Sequence, residues 1–225
     1  MENMSIALDG PGAAGKSTLA RRAAKHFGLI YVDTGAMYRC IALHVLRRNV
    51  KTNDSAGVIG VLPEIKIEMK YDAEGMQRML LGGEDVTDGI RLPEVSMGAS
   101  DVSAMPQVRE FLLSMQRDMA EEYDVIMDGR DIGTVVLPNA GLKIFLTADP
   151  EARAKRRYIE LLEKNVETTL EEVDREMRLR DKNDSERAVA PLMAADDAVL
   201  LDTTHMDLEE SFSALCGIIA AKREG

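Results

Sequence analysis

The chain has 225 residues, and its 28 basic against 39 acidic side chains give a formal net charge of −11. That balance excludes duplex nucleic acid as the main partner, because phosphate neutralisation needs a basic surface; 4% aromatics and no Trp leave no platform for stacking single-stranded bases. With 45% hydrophobic residues the chain can bury a core, yet no apolar run approaches the roughly 18 residues that cross a bilayer, so no membrane partner is expected.

Met1-Glu2-Asn3-Met4 lacks the basic start and apolar stretch of a secretory signal and runs straight into Ser5-Ile6-Ala7-Leu8, a short buried-type strand. A glycine turn over Gly10–Gly15 follows, then a helical period from Ser17 to Phe27 that stops at Gly28. Leu29–Val32 reads as a second core strand, closed by Asp33-Thr34-Gly35, and helical spacing resumes from Ala36 to about Leu46.

Between about 62 and 93 the texture changes. Ile65, Ile67 and Met69 alternate with Lys66, Glu68 and Lys70, which predicts a half-exposed strand, and Met76–Leu81 is its expected hairpin partner. A long helix is predicted from Val108 to Glu122, and Tyr123–Asp128 and Leu142–Thr147 are two further core strands. Asp149 should cap a charged helix with Pro150 in its first turn, and Thr168 or Thr169 a second. A last strand is expected at Ala198–Leu201 and a last helix from Asp207 to Lys222. Strands alternating with helices predict an α/β fold: one domain over 1–225, with a mainly parallel sheet between helical layers.

Gly10-Pro11-Gly12-Ala13-Ala14-Gly15-Lys16-Ser17 fits G-x-x-x-x-G-K-[ST] and stands where that motif must stand, after a strand and opening a helix. Small residues let the backbone wrap a phosphate with its amides pointing inward, and the helix dipole favours the same charge. Lys16, taken as an exposed loop lysine, is assigned to the β- and γ-phosphates and Ser17 to Mg²⁺; Asp128, ending a core strand, is the second expected Mg²⁺-supporting acid. The chain has no N-K-x-D base-reading motif, which excludes a GTPase switch. Cys40 and Cys216, like His26, His44 and His205, are too scattered for a zinc site or a disulfide scaffold, as befits a reduced cytoplasmic protein.

A lone arginine is ordinarily a solvated surface charge. Arg130, however, directly follows a core strand, where α/β folds place their ligands. Arg180 and Arg187 lie seven positions apart, so that one helix could present both.

Together, Gly10–Thr18, Asp33-Thr34-Gly35-Ala36-Met37-Tyr38-Arg39, Asp128-Gly129-Arg130-Asp131-Ile132-Gly133-Thr134 and Arg187-Ala188-Val189-Ala190-Pro191-Leu192 resemble the bacterial cytidylate kinases. The resemblance spans nearly the whole chain. It implies a monomeric enzyme that uses ATP and Mg²⁺ to phosphorylate CMP and dCMP, on a three-layer P-loop fold. The 62–93 segment is then an acceptor-binding insertion, and about 152–166 a helical lid.

On the matching positions, the resemblance gives ATP the loop Gly10, Pro11, Gly12, Ala13, Ala14, Gly15, Lys16, Ser17 and Thr18. Arg153, Arg156 and Arg157 are the arginines of the lid, with Arg153 and Arg157 assigned to ATP. Thr34 and Arg39 resemble acceptor-phosphate contacts, with Thr where many members carry Ser. Ser100, Arg109 and Asp131 resemble the cytosine-reading set, Arg130, Arg180 and Arg187 phosphate clamps, and Asp184 a ribose contact. Lys16, Arg130, Arg180 and Arg187 are the expected catalytic groups. Another small-molecule P-loop kinase, shikimate-like or for another nucleotide, is the near alternative, and a non-catalytic nucleotide-binding module the distant one.

Overall fold

The structure is a computed structural model and describes residues 3–224; Met1, Glu2 and Gly225, part of the predicted single domain, lie outside them. In chain order, β1 (Ser5–Asp9) leads into α1 (Lys16–Phe27), β2 (Ile30–Asp33) into α2 (Thr34–Arg47), and α3 (Ser55–Val61) follows. A hairpin of β3 (Ile67–Tyr71) and β4 (Gln77–Leu81), extended by the short β5 (Glu84–Asp85), precedes α4 (Pro93–Ser103) and α5 (Pro106–Glu122). Then come β6 (Val125–Asp128), β7 (Leu142–Thr147), α6 (Pro150–Glu163), α7 (Leu170–Glu186), β8 (Val199–Asp202) and α8 (Leu208–Glu224).

The central sheet has the order β2-β6-β1-β7-β8, and every pairing in it is parallel. Period-2 alternation divides its side chains between two helical layers. Ile6, Leu8, Ile126, Ile144 and Leu146 pack with Leu19 and Ala23 of α1 and with Leu215 and Ile219 of α8. On the opposite face Ala7, Val32, Val125 and Met127 meet α2, α4 and α5 through Met37, Ile41, Val102 and Leu112. Chain order reverses around β1, whose neighbours β6 and β7 lead to opposite halves. The carboxyl end of β1 is therefore the switch point at which such sheets open a crevice.

The β-rich insertion lies against the end of β2. The Gln77 side-chain carbonyl accepts from the Asp33 amide at 2.8 Å, and the Tyr71 hydroxyl donates to the Tyr31 carbonyl at 3.1 Å. Thr169 rather than Thr168 caps α7, in a reciprocal box with Glu172. Asp149 does not cap α6 with its side chain; its carbonyl takes the first helical bond, from the Arg153 amide. α3 and α4 had no counterpart in the sequence reading, because Ser-Ala-Gly-Val-Ile-Gly-Val and the Gly- and Ser-containing α4 have low helical propensity and are held by packing. Ile132–Val136, unpredicted, forms one wide π turn, a distortion frequent at functional sites.

Candidate active site

The P-loop leaves β1 at Gly10. With φ +146° and a would-be Cβ only 2.0 Å from the Leu146 carbonyl oxygen of β7, that position admits no side chain. Ala13 at φ 55° and Gly15 at φ 98° turn the backbone through the left-handed region, so that successive amides face inward as an anion nest. Lys16 is the first residue of α1 and is buried, contrary to the exposed lysine expected. Its ammonium folds over the loop and donates to the Pro11 carbonyl at 2.8 Å. Burial and the neighbouring Arg130 charge bring its pKa down to about 7. Ser17 donates its hydroxyl to Asp128 Oδ2 at 2.6 Å, whereas Thr18, one residue on, is exposed.

Asp128 and Asp33 stand side by side, since they are register partners on β6 and β2. Burial pushes Asp33 up, but Arg39 and Arg91, each 2.9 Å away, hold its carboxyl below its ordinary range. Asp33 also caps α2 by accepting from the Ala36 amide. Thr34, first in that helix, is buried and donates to the Asp128 carbonyl at 2.7 Å, so the hydroxyl assigned to acceptor phosphate is engaged in joining β6 to α2.

Beyond Gly129, Asp131 accepts from two arginines, Arg109 of α5 and, at 3.1 Å, Arg187. Arg130 turns the other way and donates to Asp184 of α7 at 2.9 Å. Arg187 lies immediately past the end of α7, not on the helix with Arg180 as the seven-residue spacing predicted; the chain has become extended there, and its Nε bonds the Ala190 carbonyl. Ser100 of α4, with Asp184 and Arg187 at the end of α7, lines one open cleft of about 310 Å³ together with Asp101, Ala104 and Asn183.

Cations outnumber their partners where these elements meet. Burial, Arg130, Arg39 and Arg157 act against the charge on Arg180 and lower its pKa to about 10, and its Nε is buried with no partner, as is Nε of Arg39. Such crowding is costly unless an anion relieves it. In the predicted lid, Arg153 is a buried brace: it donates to the Ala148 and Gly12 carbonyls and pairs with Asp181 at 2.7 Å. Arg157 sits within the electrostatic reach of Arg180 and pairs with Glu160, while Arg156 turns away to the Thr203 carbonyl.

The sequence reading did not single out Arg91 or Asp9. Arg91 sits at the end of the insertion with no motif around it. Asp9 was recognisable only by its place before the glycine loop.

The Ser17 hydroxyl and Asp128 carboxylate are hard oxygen donors at the foot of the P-loop, a pair suited to Mg²⁺ that keeps water and phosphate oxygens as its other ligands. Among the described residues there is no cluster of three or more His, Cys, Asp or Glu able to hold a metal unaided. Burial and the adjacent Asp33 charge raise the Asp128 carboxyl from 3.8 to about 6. The folded chain therefore retains a proton between those values that the unfolded chain has released, and stability falls as pH rises through that window. Asp128→Asn is accordingly expected to raise the nucleotide-free melting temperature at pH 7.5 by a few degrees, at about 2–4 °C per kcal/mol, with the gain shrinking as pH falls from about 6 toward 4. The same variant should lose about tenfold to a hundredfold in turnover, because the amide cannot replace an anionic ligand. Paired melting curves across pH and initial rates check both halves; a variant that is less stable at every pH would contradict the assignment.

A glycine loop at the carboxyl end of a central parallel strand, with a buried lysine and converging arginines above it, defines a P-loop kinase of small molecules. Within that class the chain belongs to the cytidylate kinase family, whose model matches residues 6–220. It is 52% identical over 210 residues to a cytidylate kinase of Caldicellulosiruptor saccharolyticus, covering 93% of this chain and 92% of that one. It is 47% identical over 223 residues to a cytidylate kinase of Desulfitobacterium hafniense, covering 99% and 95%. A solved structure of an uncharacterized protein from Eubacterium ventriosum, 12% identical with TM-score 0.52 and covering 99% of this chain and all of that one, shares the fold.

Proposed function

We propose that the chain transfers the γ-phosphoryl group of ATP to CMP or dCMP, giving ADP and the cytidine diphosphate, and that the residues gathered at the end of β1 carry the reaction. The observation that carries this reading is the convergence of the buried Lys16 with the half-buried Arg130, Arg180 and Arg39 beside the P-loop, next to a cleft lined by Arg187, the partner of Asp131. Lys16 and the backbone N–H groups of the P-loop hold the β- and γ-phosphates, and Ser17 and Asp128 would hold Mg²⁺, which would supply neutralising charge when bound with ATP. Arg39 and Arg130 leave Asp33 and Asp184 to take the acceptor phosphate, while Arg180 and Arg187 close on the transferring group. Arg153 steadies the loop at Gly12, and Arg157 is the lid arginine nearest the phosphates.

No general base is required, because the acceptor phosphate is already anionic at neutral pH; alignment and charge neutralisation supply the acceleration. Arg109, a pure donor, suits cytosine N3 and O2, and Asp131, a pure acceptor, takes the N4 amine. Ser100 and Asp184 face the same cleft, where they serve base and ribose. The enzyme acts on this reading as a monomer, in the cytoplasm where nucleotide substrates are found. Among the described residues no helix is long and apolar enough to cross a membrane.

The test is ADP release measured across CMP, dCMP, UMP, AMP, GMP and shikimate. CMP and dCMP are expected to be the preferred acceptors by at least about tenfold in kcat/KM. ADP release that is independent of acceptor, or fastest with another acceptor, would overturn the proposal.

A further inference from the structure

Asp9 contributes to no step described so far, yet both of its carboxylate oxygens are engaged. It ends β1, directly before Gly10, and is only 4% exposed. Its two carboxylate oxygens are divided between consecutive backbone amides: Oδ1 accepts from Ile132 at 2.8 Å and Oδ2 from Gly133 at 2.7 Å. Those amides open the π turn, and the two residues before them are Arg130 and Asp131. A buried carboxylate is expensive, and these two bonds, with the Lys16 charge, partly offset that cost. A hydrophobic residue would leave both amides without an acceptor; the carboxylate is the group that can grip two adjacent amides at once.

We infer that Asp9 is a positioning residue that registers the acceptor loop, Gly129–Gly133, against the P-loop, so that Arg130 and Asp131 meet the acceptor at a fixed offset from the donor phosphates. The geometry is direct. One end of Asp9 is covalently the start of the P-loop, and the other is hydrogen-bonded to the loop that carries the acceptor contacts. A shift of the acceptor loop along the strand ends must break at least one of the two bonds. The P-loop has supports of its own besides this grip: Gly10 lies close against β7, with no room for a side chain, and Arg153 donates to the Gly12 carbonyl. The inference rests on the acceptor assignments proposed above.

The variant that separates the possibilities is Asp9→Asn. An amide keeps one acceptor oxygen but presents its NH₂ to the second backbone N–H, donor against donor, so one tether is lost with little change in volume. Titration calorimetry of wild type and variant with CMP and, separately, with ADP reads the two halves of the site. The expected result is a loss of at least about tenfold in CMP affinity, several times larger than the change in ADP affinity that removing the charge beside Lys16 brings, and a rise in KM for CMP larger than the fall in kcat. Asp9→Glu, which retains both oxygens and the charge but displaces them by one methylene, should lie between wild type and Asn, and it carries the same comparison if the Asn variant does not fold. Unchanged CMP affinity, or equal losses for CMP and ADP, would overturn the inference. Wild-type protein that does not bind CMP would instead overturn the acceptor assignment on which it rests.

Discussion

Lys16→Met is expected to lower turnover by about three powers of ten or more, on the order of 4 kcal/mol of transition-state stabilisation. The lysine is the cation nearest the P-loop amides, and a thioether of similar length fills its volume while supplying no charge. Its burial decides what happens to the fold. With its pKa brought down to about 7, the ammonium costs stability below that pH, and the cost is relieved as pH rises toward the ordinary lysine value. Met removes it altogether, so the melting temperature of the nucleotide-free variant should equal or exceed that of wild type at neutral pH. Single-turnover rates and melting curves on one preparation provide the check. Near-normal turnover would mean that another group neutralises the transferring phosphate.

The second large effect is expected at Asp131, to which the proposed function gives cytosine recognition and the structure gives two ion pairs that hold the loop. A carboxylate faces the cytosine N4 amine favourably and the uracil O4 lone pairs unfavourably, so Asp131→Asn should collapse the CMP-over-UMP ratio in kcat/KM by more than about tenfold. The structure adds a cost. Asp131 also pairs with Arg109 and Arg187, both substantially buried, and an amide leaves at least one of them facing a donor. Breaking a buried pair in this way costs about 3–5 kcal/mol, so the melting temperature should fall as well. The two roles part in the ratio, because loss of the ion pairs alone depresses both substrates equally. A ratio that stays intact while both activities fall makes Asp131 structural and assigns cytosine to another group.

The parts of this fold that could be read from the sequence are those governed by local pattern. β7 runs from Leu142 to Thr147 as predicted, because alternation and β-branching suffice to mark it. The P-loop is a chemical motif in a fixed context, and α1 follows from it. α4 escaped because its helicity is imposed by packing on α2 and α5, a tertiary effect that no window of eleven residues contains. Arg153 and Arg156 show the corresponding limit at the site: three positions apart in one charged helix, one reaches the P-loop and the other the segment after β8. Helical phase separates them, but which phase faces the phosphates depends on how the helix docks. Asp9 and Arg91 went unnoticed for a related reason, since each acquires its importance from partners more than fifty residues away.

Those carboxylate partners also bear on how long the enzyme keeps what it binds. Before any nucleotide arrives, Arg39 is held by Asp33, Arg130 by Asp184, and Arg109 and Arg187 by Asp131. On the proposed assignments, each phosphate or base contact of these arginines would replace an existing ion pair rather than satisfy an empty cation, and the net gain would be the difference between the two. The internal carboxylates act as tethered competitors that never diffuse away. They weaken ground-state affinity, keep the arginines close to their working positions, and recapture them as each diphosphate leaves. Short product residence times are the expected consequence, which would suit a kinase whose substrate and product differ by a single phosphoryl group.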